Sequence, residues 1–542
     1  MKKIILFLLI IALLIRLPGL DIALYGDEVR LMNVMEIKYP YYVDTQYHSH
    51  PPLPMVIFKV IGDLFDFSTQ SMRLFPLIFT LGTIIVSFLL AKEIYNRKVA
   101  FMTAILMTFS FHMILASLQI SYDSFFMFIF ALTFYSYVIF NKTKSKLWLL
   151  LTGLCVGIAI LTKFEGIILL GILFITELQY KKNLFQSVKN IAFVAVIAIV
   201  LFLFFPLYAY LTDFSIFTGA IRGSSMFINI DTGEFPTGTS LIIQFLWTTP
   251  LIVIPFLFSL FKIKKKDHLL INWALFIMII NIFIVRWGDY TRYSMILLPP
   301  LFILAAKELS CLNFKRNHML LGIISFFTAF VLFFTLNLLD MSYYTQSFSN
   351  YAEAIGSLNL NFFFPYAISS GSWFGVNFLS ILLLSFFTVL FVIIFLVSKR
   401  IRRDTKFILI IFIGIAFAYN IFLAEEYLFH LSQPDPNQVI YKMTSYVKEN
   451  GIPLPIYATN KAILYYLDED KQKLELTGLF RIDDENYIEF SKNIEQEGGT
   501  ILFLDFAPYI SKEDIDSIKG CRVIKSFESN KRNIGFIYDC NN

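Results

Sequence analysis

The chain has 542 residues; 57% are hydrophobic, 16% are charged, the formal net charge is +5 and the mean hydropathy is +0.67. Soluble globular proteins carry about 25% charged residues, so this composition excludes a soluble fold. The small net charge points to no nucleic-acid partner, and the lipid bilayer is the first partner to expect.

The N-terminus, MKKIILFLLIIALLIRLPGL, places two lysines before an apolar run with no small-x-small cleavage site behind it. It reads as an uncleaved first helix. Runs long enough to cross a hydrocarbon core about 30 Å thick then recur along the chain. About thirteen segments emerge when tested against the positive-inside rule: approximately 4–20, 73–91, 99–117, 121–140, 147–162, 164–179, 191–211, 240–261, 269–286, 293–306, 319–339, 374–398 and 407–424. With Lys2 and Lys3 in the cytoplasm, the basic loops 92–98, 141–146, 181–190, 262–268, 307–318 and 398–406 all fall on that same side. The expected fold is a polytopic α-helical protein of the cell membrane with a cytoplasmic N-terminus.

Residues 21–72, 212–239, 340–373 and the tail from about 425 then lie outside. The first of these mixes aromatic and polar residues and reads as short helices along the interface. Composition changes abruptly after QPDPNQ (433–438). From there TSYVKEN, KAILYYLDED and SKEDIDSI read as helices, and PIYAT, TILFLDF and RNIGFIYDC read as strands. The alternation predicts a small extracytoplasmic α/β domain over 425–542, following a transmembrane core over 1–424 that includes the outer loop 21–72. Cys521 and Cys540 lie in this tail; outside the cell they can form a disulfide, and sequence alone leaves that pairing and two free thiols both open.

Ionisable groups within or beside spans are costly and mark functional candidates. Asp27 and Glu28 follow the first span on the outside, and two adjacent carboxylates repel, which raises one pKa and suits a general base. His48 and His50 sit before Pro51-Pro52, where with Glu28 they are candidate ligands for a divalent metal, or His50 meets a phosphate; no closed ligand set is visible. Asp123 stands at the outer end of the fourth span, where the helix macrodipole favours an acid. Lys163 breaks the positive-inside pattern at the turn between the fifth and sixth spans, with Glu165 as a neutralising neighbour. Arg286, Asp289 and Arg292 form another outer cluster. Arg73 opens the second span from outside, where it either joins these candidates or snorkels to headgroups. Acids and bases therefore gather on the outer face, where a phosphate-bearing lipid enters sideways.

These residues resemble, in order, the motifs of the integral-membrane glycosyltransferases of the protein O-mannosyltransferase and lipid A aminoarabinose transferase type. The order runs from Arg16 through Asp27-Glu28, the x-Pro-Pro-Leu element His50 to Leu53, and Arg73 to Pro76. It continues with Tyr122-Asp123, Leu161 to Lys163, and Arg292-Tyr293 with Pro299-Pro300 downstream. The resemblance covers roughly residues 1–310. His50 stands where the aminoarabinose transferases usually have lysine, and Glu165 stands where the family often has proline.

The resemblance implies a GT-C fold and inverting transfer of a sugar from a polyprenyl (dolichyl or undecaprenyl) phosphate to a hydroxyl on protein, lipid or glycan. Asp27 is then the base, with Glu28 and Asp123 as the other catalytic acids. Lys163, Arg292, His50 and Tyr293 hold the donor phosphate. No nucleotide is required. Three other readings remain at this stage. One is an oligosaccharyltransferase, suggested by RWGDY (286–290). Another is a lipid or sugar transporter, although no internal repeat is visible. The third is a structural or interaction protein that binds partners through its outer tail, which leaves the acidic loop and the outer basic residues unexplained.

Overall fold

The structure is a computed structural model of the full chain. It describes residues 2–24, 28–29, 31–32, 50–181, 184–229, 249–261, 263–283, 295–312, 315–339, 342–343, 355–360, 362–366, 374–397, 405–452, 455–458, 461–467, 491–492, 494–496, 498–505, 512–530 and 532–541. These residues divide into two compact units. One contains Met1–Leu20, Val34–Phe326 and Leu390–Ile421; the other contains Asp21–Asn33, Phe327–Val389 and Phe422–Asn542.

Helices account for nearly all of the described residues of the first unit. They begin with α1 (Lys2–Arg16), α2 (Leu53–Phe65), α3 (Thr69–Ile94), α4 (Arg97–Thr108), α5 (Phe111–Leu118), α6 (Asp123–Thr143) and α7 (Lys146–Thr162). After them come α8 (Ile168–Lys181), α9 (Leu184–Phe202) and further apolar helices. Among the described residues, six helices are long and apolar enough to cross a membrane: Lys3–Asp21, Thr69–Ile94, Asp123–Thr143, Leu184–Leu211, Arg316–Asn337 and Phe407–Phe429. A seventh is added if α4 and α5 count as one span. At other expected spans the helices are shorter, as at Lys146–Thr162, Pro250–Leu260 and Phe378–Ile393.

Two features of this unit refine the expectations. Residues 99–117 do not form one straight span, because α4 and α5 meet at a 62° bend. Arg73 does not snorkel: its side chain is fully buried and its Nη1 donates to the Leu118 carbonyl. The two findings share a physical cause. A break inside a membrane helix leaves backbone groups that hydrocarbon cannot satisfy, so other side chains must reach them. Arg16 Nη1 donates to Thr108 O at 3.2 Å. Asn420, from the helix Thr405–Phe429, donates to Phe109 O at 2.5 Å and accepts from Phe111 N at 3.0 Å. Arg73 closes the other end of α5. The short helix is thus pinned at both ends before the chain enters α6.

Helices α6 and α7 form an antiparallel hairpin. Lys144 adopts φ 57° at the C-cap of α6, and Ser145 precedes α7. Ser136 Oγ and Thr152 Oγ1 lie 2.9 Å apart across the pair. On its other side α7 meets α9 through Gly153 and Gly157. A Cβ at Gly153 would lie 2.8 Å from Ile197 Cβ, and one at Gly157 would lie 2.8 Å from Leu201 Cβ. This small-xxx-small spacing lets membrane helices approach closely.

In the second unit, β1 (Ser342–Tyr343), β2 (Phe362–Tyr366) and β3 (Phe374–Asn377) form a three-stranded sheet. Towards the C-terminus, β4 (Ile456–Ala458), β5 (Thr500–Leu504), β6 (Arg522–Ser529) and β7 (Arg532–Asp539) form a sheet of order β4-β5-β7-β6. The β4–β5 pair is parallel and the other pairs are antiparallel. Strand β5 is buried throughout, and Ile501 and Phe503 join Tyr457, Ile515 and Phe536 in one apolar core. The helix Pro436–Asn450 packs against β7 at Gly535, where a Cβ would come within 2.4 Å of Val439 Cγ1. Cys521 and Cys540 are joined in a disulfide, with Cα atoms 4.0 Å apart.

Candidate active site

The α6–α7 hairpin determines which polar groups meet. From Asp123 to the end of α6 is about 30 Å at 1.5 Å per residue, and α7 returns about 25 Å. Its first and last residues therefore finish near the same end. There Lys163 Nζ donates to Asp123 Oδ1, and the two side chains are only 4% and 3% exposed. Local structure favours each charge where it stands. Asp123 is in the first turn of α6, at the positive end of that helix, and Lys163 is the C-cap of α7, at the negative end.

Lys163 is turned inward by the chain that follows it. Its backbone is extended (φ −147°, ψ 139°), its N–H donates to Ala159 O at 2.9 Å, and its carbonyl accepts from Gly166 N at 2.9 Å. The 3-10 turn Phe164–Ile167 then lies against the last turn of α7. Glycine is required at 166, because a Cβ would sit 2.5 Å from Ala159 C and 2.6 Å from Ile160 N, both backbone atoms that cannot yield. Gly166→Ala is expected to force the turn off α7. Overpacking of this kind costs about 1–3 kcal/mol, and movement of Lys163 should lower turnover more than the fall in melting temperature accounts for. Measuring turnover per folded protein checks this.

Aromatic rings complete the site. Lys163 Nζ is 5.3 Å from the Tyr122 ring centroid and 5.9 Å from that of Phe126, within cation–π range. The i, i+4 spacing puts both rings on one face. His50 meets Tyr122 edge-on with centroids 5.0 Å apart. Asp123 N donates to Ser121 Oγ at 3.4 Å in the short link from α5. His50, Tyr122, Asp123 and Lys163 therefore form one contiguous group. It unites a fixed cation, a carboxylate and an aromatic surface, the features needed to hold a phosphate and a sugar ring.

Other expected site residues are placed differently. Glu28 lies in the second unit and is 1% exposed. Asp27, His48, Arg292 and Tyr293 lie outside the described residues. Among the described residues there is no group of three or more His, Cys, Asp or Glu side chains that could hold a metal. Sequence reasoning missed Phe126 and Gly166. The spacing of Phe126 from Tyr122 was a usable signal. The need for Gly166 was not visible, because it arises from a backbone seven residues earlier.

Residues 51–218, which contain Tyr122, Asp123, Lys163 and Gly166, match the family model for dolichyl-phosphate-mannose-protein mannosyltransferase. The fold is similar to that of ArnT from Cupriavidus metallidurans bound to undecaprenyl phosphate. The TM-score is 0.59 at 14% identity, over 99% of this chain and 98% of that one. The chain therefore has a GT-C-like fold. The apo form of the same ArnT matches equally well, with a TM-score of 0.59 at 13% identity over 100% and 98% of the two chains. The S. cerevisiae Pmt1–Pmt2 complex bound to its sugar donor is 23% identical over 44% of this chain and 35% of that one, with a TM-score of 0.32. No curated protein sequence matches the chain. Within the GT-C fold, Asp123 and Lys163 fall in the segment that carries the family match, whereas His50 immediately precedes it.

Proposed function

We propose that the chain is an inverting glycosyltransferase that moves one sugar from a polyprenyl phosphate to a hydroxyl acceptor at the outer face of the membrane. The observation that carries this reading is the buried Asp123–Lys163 pair beside Tyr122 and His50, in a segment that matches a mannosyltransferase family. A similarly folded protein binds undecaprenyl phosphate.

In the proposed reaction Asp27 takes the proton of the acceptor hydroxyl. The oxygen attacks the anomeric carbon from the face opposite the phosphate, a new C–O bond forms, and the bond to the phosphate oxygen breaks. Oxocarbenium character develops on the sugar, as in glycoside hydrolysis. The lipid phosphate leaves as a stable anion, so donors of positive charge suffice on that side. Lys163 and Arg292 supply it, with His50 and Tyr293 beside them. Glu28 and Asp123 orient the reacting groups. Lys163 is held by Asp123 before substrate arrives, so its ammonium is preorganised and not gathered at the moment of reaction.

The disulfide supports an extracytoplasmic second unit, because disulfides persist in oxidising compartments. In intact cells a membrane-impermeant maleimide should label Cys521 and Cys540 only after an impermeant reductant is added. Labelling without reductant would place two free thiols outside, and no labelling after reduction would argue for the opposite orientation. The enzymatic reading is tested with purified protein in detergent, where transport has no meaning. Release of lipid phosphate together with glycosylated acceptor supports it, and an intact donor with every acceptor tried removes it.

A further inference from the structure

The segment leading to the acidic motif is held by the C-terminal part of the chain. Residues Asp21–Asn33 belong to the same compact unit as Phe422–Asn542. Ile22, Ala23 and Leu24 have no regular structure, yet they are 5%, 1% and 0% exposed. Buried backbone without secondary structure must find partners elsewhere, and three side chains supply them. Ala23 N donates to Asn437 Oδ1 at 3.2 Å, Leu24 N donates to Tyr466 Oη at 3.1 Å, and Tyr441 Oη donates to Asp21 O at 3.0 Å.

The three side chains are themselves fixed. Asn437 Nδ2 donates to Asp435 Oδ1 at 2.9 Å, which orients the amide so that Oδ1 faces Ala23. Tyr441 is four residues further along the helix Pro436–Asn450, on the same face. Its hydroxyl lies 3.3 Å from that of Tyr466, on the helix Lys461–Leu467, and the rings are 5.1 Å apart. These residues lie far outside the segment that matches the mannosyltransferase family.

We infer that Asn437, Tyr441 and Tyr466 are positioning residues that clamp the backbone of Asp21 to Leu24 and so set the acidic pair Asp27-Glu28 that follows it in sequence. The C-terminal unit then contributes to turnover without touching substrate. The inference rests on the glycosyltransferase reading for its catalytic consequence, but not for the clamp itself.

The test is the full-length double variant Tyr441→Phe/Tyr466→Phe, which removes two hydroxyls and leaves both rings in place. Misplacement of a catalytic group by about 1 Å costs on the order of 100-fold. The expected result is a fall in kcat of about 10- to 100-fold, with the donor KM and the unfolding temperature unchanged. Unchanged kcat overturns the inference, and so does a loss of kcat matched by loss of folded protein. Hydrogen exchange of a peptide covering residues 20–29 gives a readout independent of activity. Slow exchange of the Leu24 amide in the wild type, fast in the double variant, is expected, with Ala23 still bonded to Asn437; equal Leu24 exchange in both overturns the clamp. If the wild type turns over no lipid-phosphate sugar, the functional reading has failed and the exchange result alone decides the clamp.

Discussion

Lys163→Met should abolish turnover and also destabilise the protein. The substitution keeps the length of the side chain but removes its charge, leaving the buried carboxylate of Asp123 without its ammonium partner. Removing one member of a buried ion pair costs about 3–5 kcal/mol, because the remaining charge is paid for in desolvation. The double variant Asp123→Asn/Lys163→Met separates fold from function. With both charges gone, most of the lost stability should return, since neutral replacement of a buried pair is often close to isoenergetic. Activity should not return, because the lipid phosphate has lost Lys163, one of its two proposed cations. Thermal unfolding and donor turnover on the four proteins of the cycle measure the two effects separately. A double variant that regained activity along with stability would reduce the pair to a structural role.

Asp27→Asn should lower kcat by about 10²–10⁴-fold, the usual contribution of a general base, with little change in donor KM. The sign of the pH effect follows from the role. A base must be deprotonated to act, so wild-type activity falls as pH drops through its pKa in the complex. The Asn variant has no such proton to lose, and its residual rate should lack that acid limb. A pH–rate profile of both proteins checks the assignment; full activity in the Asn variant would transfer the base role elsewhere, with Glu28 the first alternative by sequence.

What sequence could reveal here follows from the range of the forces involved. Apolar runs and basic loops are local signals, and they located the helices at 69–94 and 123–143 to within a few residues, while the helix at 184–211 begins seven residues before its expected start. Asp123 and Lys163 were each singled out by cost and placement: one is an acid at a helix start, the other a lysine on the wrong side for the positive-inside pattern. Their direct pairing was not legible, because it depends on two helix lengths and a two-residue turn acting together. The bend between α4 and α5 was missed for a related reason. The sequence TFSFH contains neither proline nor glycine, and the group that sustains the break is Asn420, 309 positions away from its partner Phe111. Strand β6 was also missed. Its residues Arg522–Ser529 are mostly exposed and lack the continuous apolar run that marked β5.

The reading of Arg73 shows how a general tendency gives way to local demand. Near a span end a long basic side chain usually reaches for water. Here the carbonyl at the end of α5 needs a donor within the protein, and Arg73 turns inward to provide it. The family match and the ArnT-like fold were anticipated by short motifs in the right order, each weak alone. Their combined weight came from where the topology put them.

The most direct measurement is a single-turnover assay with purified protein and a labelled polyprenyl-phosphate sugar, analysed for both products and for the configuration of the new glycosidic bond. The account predicts one free lipid phosphate for each sugar transferred, inversion at the anomeric carbon, and no product from the Asp123→Asn/Lys163→Met variant. Retention of configuration, transfer of the whole phosphosugar, or full activity in that variant would contradict it.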